Sequence, residues 1–234
     1  MSDVLFPRVV KKMTKPLYVM PSFSDNDWET IIKACQKNKV PETWKVGDQK
    51  LVTIGGVEYP VDIIGKNHDV YADSSGKAPL TFQLHDCYAI KNAMMIMDSS
   101  VGGWTNSMMR NTHLPTIFAL LPHEMQEGIR EVVKLTSEGN ASKKITATTD
   151  RLFLLSEVEV SGATARTIPG EGDQYEFYYA GGSKAKTVNG TKSTWWLRSP
   201  QKDNYMFFCA VYSDGGVSGS MPSNSYGVAP AFCF

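Results

Sequence analysis

Apolar positions divide the chain into two styles of patterning. Trp28, Ile31, Ile32 and Cys35 recur at helical spacing, with Ser24 as the expected N-cap and Pro41 as the stop. Residues 50–54 and 57–64 then read as strands about Gly55-Gly56, a dipeptide suited to a two-residue hairpin turn, and Leu80–Leu84 reads as a third strand. Residues 104–113, carrying Trp104, Met108 and Met109, and a stretch opened by Pro122 with Met125, Ile129, Val132 and Val133 predict two further helices. Beyond residue 151 the pattern changes to short apolar runs at 152–155, 157–160, 194–197, 206–211 and 228–232, separated by Gly, Ser, Asn and Asp, which predicts strands joined by long polar loops. With no internal repeat and no linker, the expectation is one α+β domain over 44–234: an irregular antiparallel sheet, two or three helices and long loops. Residues 1–43 form an N-terminal segment with one helix, suited to attachment to an assembly.

Composition narrows the partners. Twenty-four Lys and Arg balance 24 Asp and Glu, so no net field draws the protein to nucleic acid. The one basic cluster, Arg8, Lys11, Lys12 and Lys15, lacks interleaved stacking aromatics and reads as a solvated or docking segment. No secretory h-region and no bilayer-length apolar run is present, so synthesis in the cytoplasm without membrane insertion is expected. Cys35, Cys87, Cys209 and Cys233 show no CxxC spacing and read as buried thiols.

Catalytic and cofactor motifs are absent. There is neither GxSxG nor GxxxxGK[ST], and Gly181-Gly182-Ser183-Lys184 completes no phosphate loop. Asn67-His68-Asp69 and His85-Asp86-Cys87 bring imidazole, carboxylate and thiol to strand ends; a transition metal suits that set, but capping of loop backbone accounts for it without one. Calcium would need a cage of oxygens; no EPN, QPD or WND triplet occurs, and Asp203-Asn204 and Asp214 read as turn residues. No metal and no cofactor is therefore expected. Met94, Met95, Met97, Met108 and Met109 fit core filling better than an adaptable binding groove.

The C-terminal block carries the candidate binding site. Apolar ends, Trp195 to Pro200 and Gly227 to Phe232, enclose a stretch dense in Tyr, Ser, Asn, Asp and Gly. Its candidate ligand-binding residues are Asp203, Asn204, Tyr205, Tyr212, Ser213, Ser218, Ser220, Ser223, Asn224 and Tyr226. Tyrosine supplies stiff amphipathic contact area while Ser and Asn adapt their hydrogen bonds, the composition of a paratope. Turn chemistry explains the small residues but not the tyrosines.

WWLRSP at 195–200 and GVAPAF at 227–232, with Asn67-His68-Asp69, Gly102-Gly103-Trp104, Ser107, Arg110 and LFLLSEVE at 152–159, resemble an uncharacterised domain family of Firmicutes prophages and their hosts. The resemblance spans roughly 44–234. It implies a C-type-lectin-like fold, akin to the formylglycine-generating scaffold and to phage receptor-binding proteins diversified by retroelements, whose variable residues lie near the C-terminus. It further implies a non-catalytic receptor-binding module of a phage or prophage tail. The partners would be a host cell-surface protein or glycan and other tail or fibre subunits, with a homo-oligomer compatible. The alternatives are a structural virion decoration protein, and an enzyme of the formylglycine-generating type; that chemistry uses closely spaced cysteines, which Cys209 and Cys233 are not.

Overall fold

Trp28, Ile31, Ile32 and Cys35 do lie on one helix, α1 (Trp28–Gln36), in the computed structural model, which describes residues 17–234. The basic cluster from Arg8 to Lys15 and the rest of residues 1–16 of the expected attachment segment fall outside the described residues. The N-cap is Asp27 rather than Ser24: its Oδ1 accepts from Thr30 N at 2.7 Å, a carboxylate at the positive end of the helix that contributes about 1 kcal/mol. The hairpin follows as read, with β1 (Gln49–Ile54) antiparallel to β2 (Val57–Lys66). Gly55 and Gly56 both take positive φ, 59° and 82°, as a twisted two-residue turn demands. Strand β3 is Leu80–Leu84, buried at every position.

Two expected helices are shorter than their apolar spacing suggests. Residues 104–113 are a 3-10 turn (Trp104–Asn106) and a wide π turn (Met109–His113) leading into α2 (Leu114–Phe118). They break at Ser107, whose backbone is extended and whose hydroxyl donates to Trp104 O and accepts from Arg110 N. The next helix, α3 (His123–Gly128), stops before Ile129. Val132 and Val133 instead open β4 (Val132–Ser137), which pairs with β5 (Ile145–Asp150); β-branched side chains fit that pleated surface better than a helix.

Residues 157–160 were expected to be a strand and are a helix, α4 (Glu157–Ser161). Ser156 and Glu159 close a capping box, a local signal that outweighs the alternation of Glu and Val. Residues 152–155 are buried but form no strand of their own: Phe153 bridges Ala231, and Leu155 O accepts from Arg198 N at 2.9 Å. After α5 (Glu176–Tyr179) come β6 (Lys186–Val188), β7 (Thr191–Ser193), β8 (Trp195–Pro200), β9 (Phe208–Val211), β10 (Val217–Ser220) and β11 (Ala231–Cys233).

The strands form a four-stranded sheet in the order β1-β2-β3-β11, a three-stranded sheet β10-β9-β8, and the pairs β4-β5 and β6-β7, all antiparallel. This is an α+β arrangement of small sheets and short helices. No helix among the described residues is long and apolar enough to cross a membrane. Phe23 stacks on Phe82 at 6.0 Å, Phe82 on Phe232 at 5.4 Å, and Trp28 meets Phe234 edge-on at 5.9 Å, so residues on both sides of the 43/44 boundary share one aromatic core.

Candidate functional site

The sequence motifs converge on a buried ion network. Asp69, from the Asn67-His68-Asp69 step, accepts from Lys134 Nζ at 2.7 Å, Thr81 Oγ1 at 2.5 Å and Tyr175 OH at 2.9 Å. Burial alone would raise its pKa, but the Lys134 ammonium and these hydrogen bonds prevail and hold it at about 2. Lys134 also pairs with Glu159 at 2.7 Å. Glu159 is gripped by Arg198 of the WWLRSP strand, with a close Nη1 contact and Nη2 at 2.9 Å, and the two cations keep it ionised against its burial. Arg198 is fully buried, and its remaining donors reach Thr136 Oγ1 at 3.0 Å, Leu154 O at 2.9 Å and Glu171 O at 2.8 Å. Among the described residues Glu171 makes no ion pair: it accepts from Ser137 N at 2.8 Å and from Ser199 Oγ, and burial lifts it to about 7. These charges tie β4, α4 and β8 together and reach no solvent, so the motifs carry the scaffold.

Other candidate reactive groups are closed off or held apart. Burial raises the Cys35 and Cys87 thiols to about 12 and holds the Cys209 and Cys233 thiols well above their ordinary value. His85 and His68 do not meet: His85 Nδ1 bonds Asp62 Oδ2 at 2.8 Å, which raises its pKa, whereas His68 stacks on Tyr175 at 4.0 Å and is lowered by burial. Asp86 accepts from Thr187 N at 2.6 Å, the backbone-satisfying role expected of a residue at a strand end. Among the described residues no group of three or more His, Cys, Asp or Glu has metal-binding geometry.

The C-terminal candidates divide by exposure. Asp203, Tyr205, Ser213, Ser223 and Asn224 are exposed; Asn204, Tyr212, Ser218 and Tyr226 are half-buried; Ser220 is buried. Tyr226 turns inward, its ring 4.8 Å from Trp196 and its hydroxyl accepting from Ser220 Oγ at 2.9 Å. Tyr212 donates to Gly219 O at 3.2 Å across the β9-β10 hairpin. Of the three tyrosines in the stretch, Tyr205 faces water, 55% exposed.

Tyr205 has unforeseen company. A loop at 92–103 runs beside the C-terminal stretch: Met94 N and Met95 N both donate to Pro222 O, Ser223 Oγ donates to Asp98 Oδ1, and Asn92 and Tyr226 exchange backbone bonds. The Ser100 hydroxyl donates to Tyr205 O at 2.8 Å and accepts from Asn140 N at 3.0 Å, locking three loops at one atom. Gly139 and Gly103 permit that closeness, since a Cβ on Gly139 would lie 1.7 Å from Ser100 O and one on Gly103 2.4 Å from Ser137 O. From this fixed base Ile96 (80% exposed), Met97 (73%), Val101 and Met221 stand in water. The methionine run is thus mixed: Met94 and Met109 are core, as their spacing suggested, whereas Met97 is surface. The readable signal was the polar punctuation, Asp98-Ser99-Ser100 and Gly102-Gly103, which marks 96–103 as a loop rather than a helix face.

Fold and site together define an α+β protein with a buried ionic frame and an exposed apolar rim of loops. The chain belongs to the DUF6273 family, a domain of unknown function, whose model matches residues 83–234. No curated protein and no solved structure matches the chain.

Proposed function

We propose that this protein is a non-catalytic binding module with a C-type-lectin-like arrangement, carried by a phage or prophage tail and directed at a host cell-surface protein. The observation that carries the reading is the set of large apolar side chains, Ile96, Met97, Val101, Tyr205 and Met221, held in water by two loops that are hydrogen-bonded to each other. Leaving such side chains exposed on rigid supports is characteristic of interaction surfaces. Their apolar character favours a protein partner over a glycan, while Asp203, Ser213, Ser223 and Asn224 supply a polar rim. The return of β11 to the early strand β3, beside a separate three-stranded sheet with long loops, supports the lectin-like arrangement. The inert, buried thiols support a role without catalysis.

The test is attachment of the labelled protein to host cells. Ile96→Asp combined with Met97→Asp abolishes attachment and leaves the melting temperature unchanged; attachment at full strength would sink the proposal. Variants that still attach to cells but no longer enter tail particles would instead favour the decoration reading.

A further inference from the structure

A polar recess opens beside the apolar rim, between residues 102–106 and the loop at 138–144 that joins β4 to β5, with a volume of about 450 Å³, within the range of small-ligand sites. Val101 belongs both to the rim and to the wall of this recess. The two also share a support, because Asn140 N and Tyr205 O meet on the Ser100 hydroxyl.

The lining decides what the recess can take. Thr105, Asn106 and Asn140 are exposed and give only backbone atoms to the fold: Thr105 O accepts from Asn111 Nδ2 at 3.0 Å, Asn106 N donates to Gly102 O at 3.1 Å, and Asn140 N donates to Ser100 Oγ at 3.0 Å. Their side chains have no hydrogen-bond partner among the described residues. The lining holds no cation, and its one carboxylate, Glu138, is paired with Lys144 at 2.6 Å. An anion is thus unsupported, a cation finds the carboxylate taken, and an apolar ligand meets Val101 alone. What fits is a neutral ligand rich in hydroxyls, because a hydroxyl both donates and accepts while each carboxamide offers a carbonyl and an NH2 side by side.

We propose that this recess binds one neutral sugar ring, carried by the host protein that the rim contacts. That the sugar belongs to the host rests on the attachment reading above; that the recess takes a sugar does not.

Methyl glycosides of neutral hexoses and N-acetylhexosamines, titrated into the full isotope-labelled chain and followed by backbone amide shifts, test this. At least one of them shifts Asn106, Asn140 and Thr146 together, with a dissociation constant of about 1 mM, what a few net hydrogen bonds provide. Asn106→Ala with Asn140→Gly, a pair that tolerates the left-handed backbone at 140 (φ 53°), removes those shifts, leaves the melting temperature unchanged and weakens attachment to host cells about tenfold. Ile96→Asp with Met97→Asp leaves the sugar shifts in place, so a failure of the rim and a failure of the recess are told apart. No shift at these amides with any glycoside overturns the proposal. So do equal shifts from glycerol or from N-methylacetamide, the second because the recess would then read a peptide. Sugar shifts with attachment undiminished in the double variant overturn the assignment to the host.

Discussion

Arg198 holds Glu159 with both ends of its guanidinium fork, and neither side chain reaches water. Lys134 shares the same carboxylate and passes the connection on to Asp69. Two cations and two anions therefore cancel inside the protein, leaving Glu171 as the acid at their edge.

Removing Arg198 should cost more than removing any one of its hydrogen bonds. Arg198→Met leaves Glu159 buried with only Lys134 beside it and strips the donors from Leu154 O and Glu171 O, a loss of about 3–5 kcal/mol by urea denaturation. Arg198→Lys recovers little, because an ammonium cannot span both carboxylate oxygens and the carbonyls together. A lysine variant as stable as the original would refute the bidentate account.

Glu171 makes stability depend on pH. Its folded pKa of about 7 lies above its ordinary 4.5, so the folded state binds the proton more tightly than the unfolded state does. Its contribution is complete below about pH 4.5, declines as pH rises to about 7 and is gone above it, on the order of 3 kcal/mol. Asp69 has the opposite sign: lowered to about 2, it stabilises above its ordinary 3.8, and that stability is lost as pH falls toward 2. Chemical denaturation of Glu171→Gln between pH 4.5 and 7.5 should show a flatter profile than the unaltered protein; an unchanged slope would assign the titration elsewhere.

The tyrosines of the C-terminal stretch should separate by role. Tyr226→Ala removes a ring packed on Trp196 and a hydroxyl bonded to Ser220, and costs about 3 kcal/mol of stability. Tyr205→Ala leaves stability within about 0.5 kcal/mol while weakening attachment, because the Tyr205 contact to Ser100 is made by the backbone. Calorimetry paired with a cell-attachment assay on both variants checks this; equal melting temperatures for the two would contradict it.

The junction of three loops at Ser100 depends on close backbone approach. Gly139→Ala, with φ at 77° and a Cβ pressed into Ser100 O, should cost about 3 kcal/mol or more, whereas Thr105→Ala on the exposed surface nearby costs less than about 0.5 kcal/mol. Thermal melts of the pair provide the comparison.

The β1-β2 hairpin, β3 and the core role of Trp195 and Trp196 were legible because each is written in a few neighbouring residues. Where pattern and cap disagreed, as at 157–160, the cap prevailed, and Ser156 with Glu159 was there to be read. Strand β5 went unread because Ile145-Thr-Ala-Thr-Thr-Asp offers only modest apolar alternation and gains its partner through β4. The apolar rim escaped for a different reason: hydrophobicity identifies residues that avoid water, and Ile96 and Met97 do not. Nor could the sequence order reveal that Asp69, Lys134, Glu159 and Arg198 meet, since none is near another along the chain.

The pairing of β11 with β3 also governs how the molecule comes into being. Cys233 and Thr81 touch although 152 residues separate them, and Phe232 inserts its ring against Phe82. During synthesis the first half emerges with the β3 edge that β11 covers still open, because that strand is among the last residues to be made. Closure must therefore be slow and late, and a nascent chain stalled before residue 231 would expose Phe82 to whatever chaperone or neighbour reached it first.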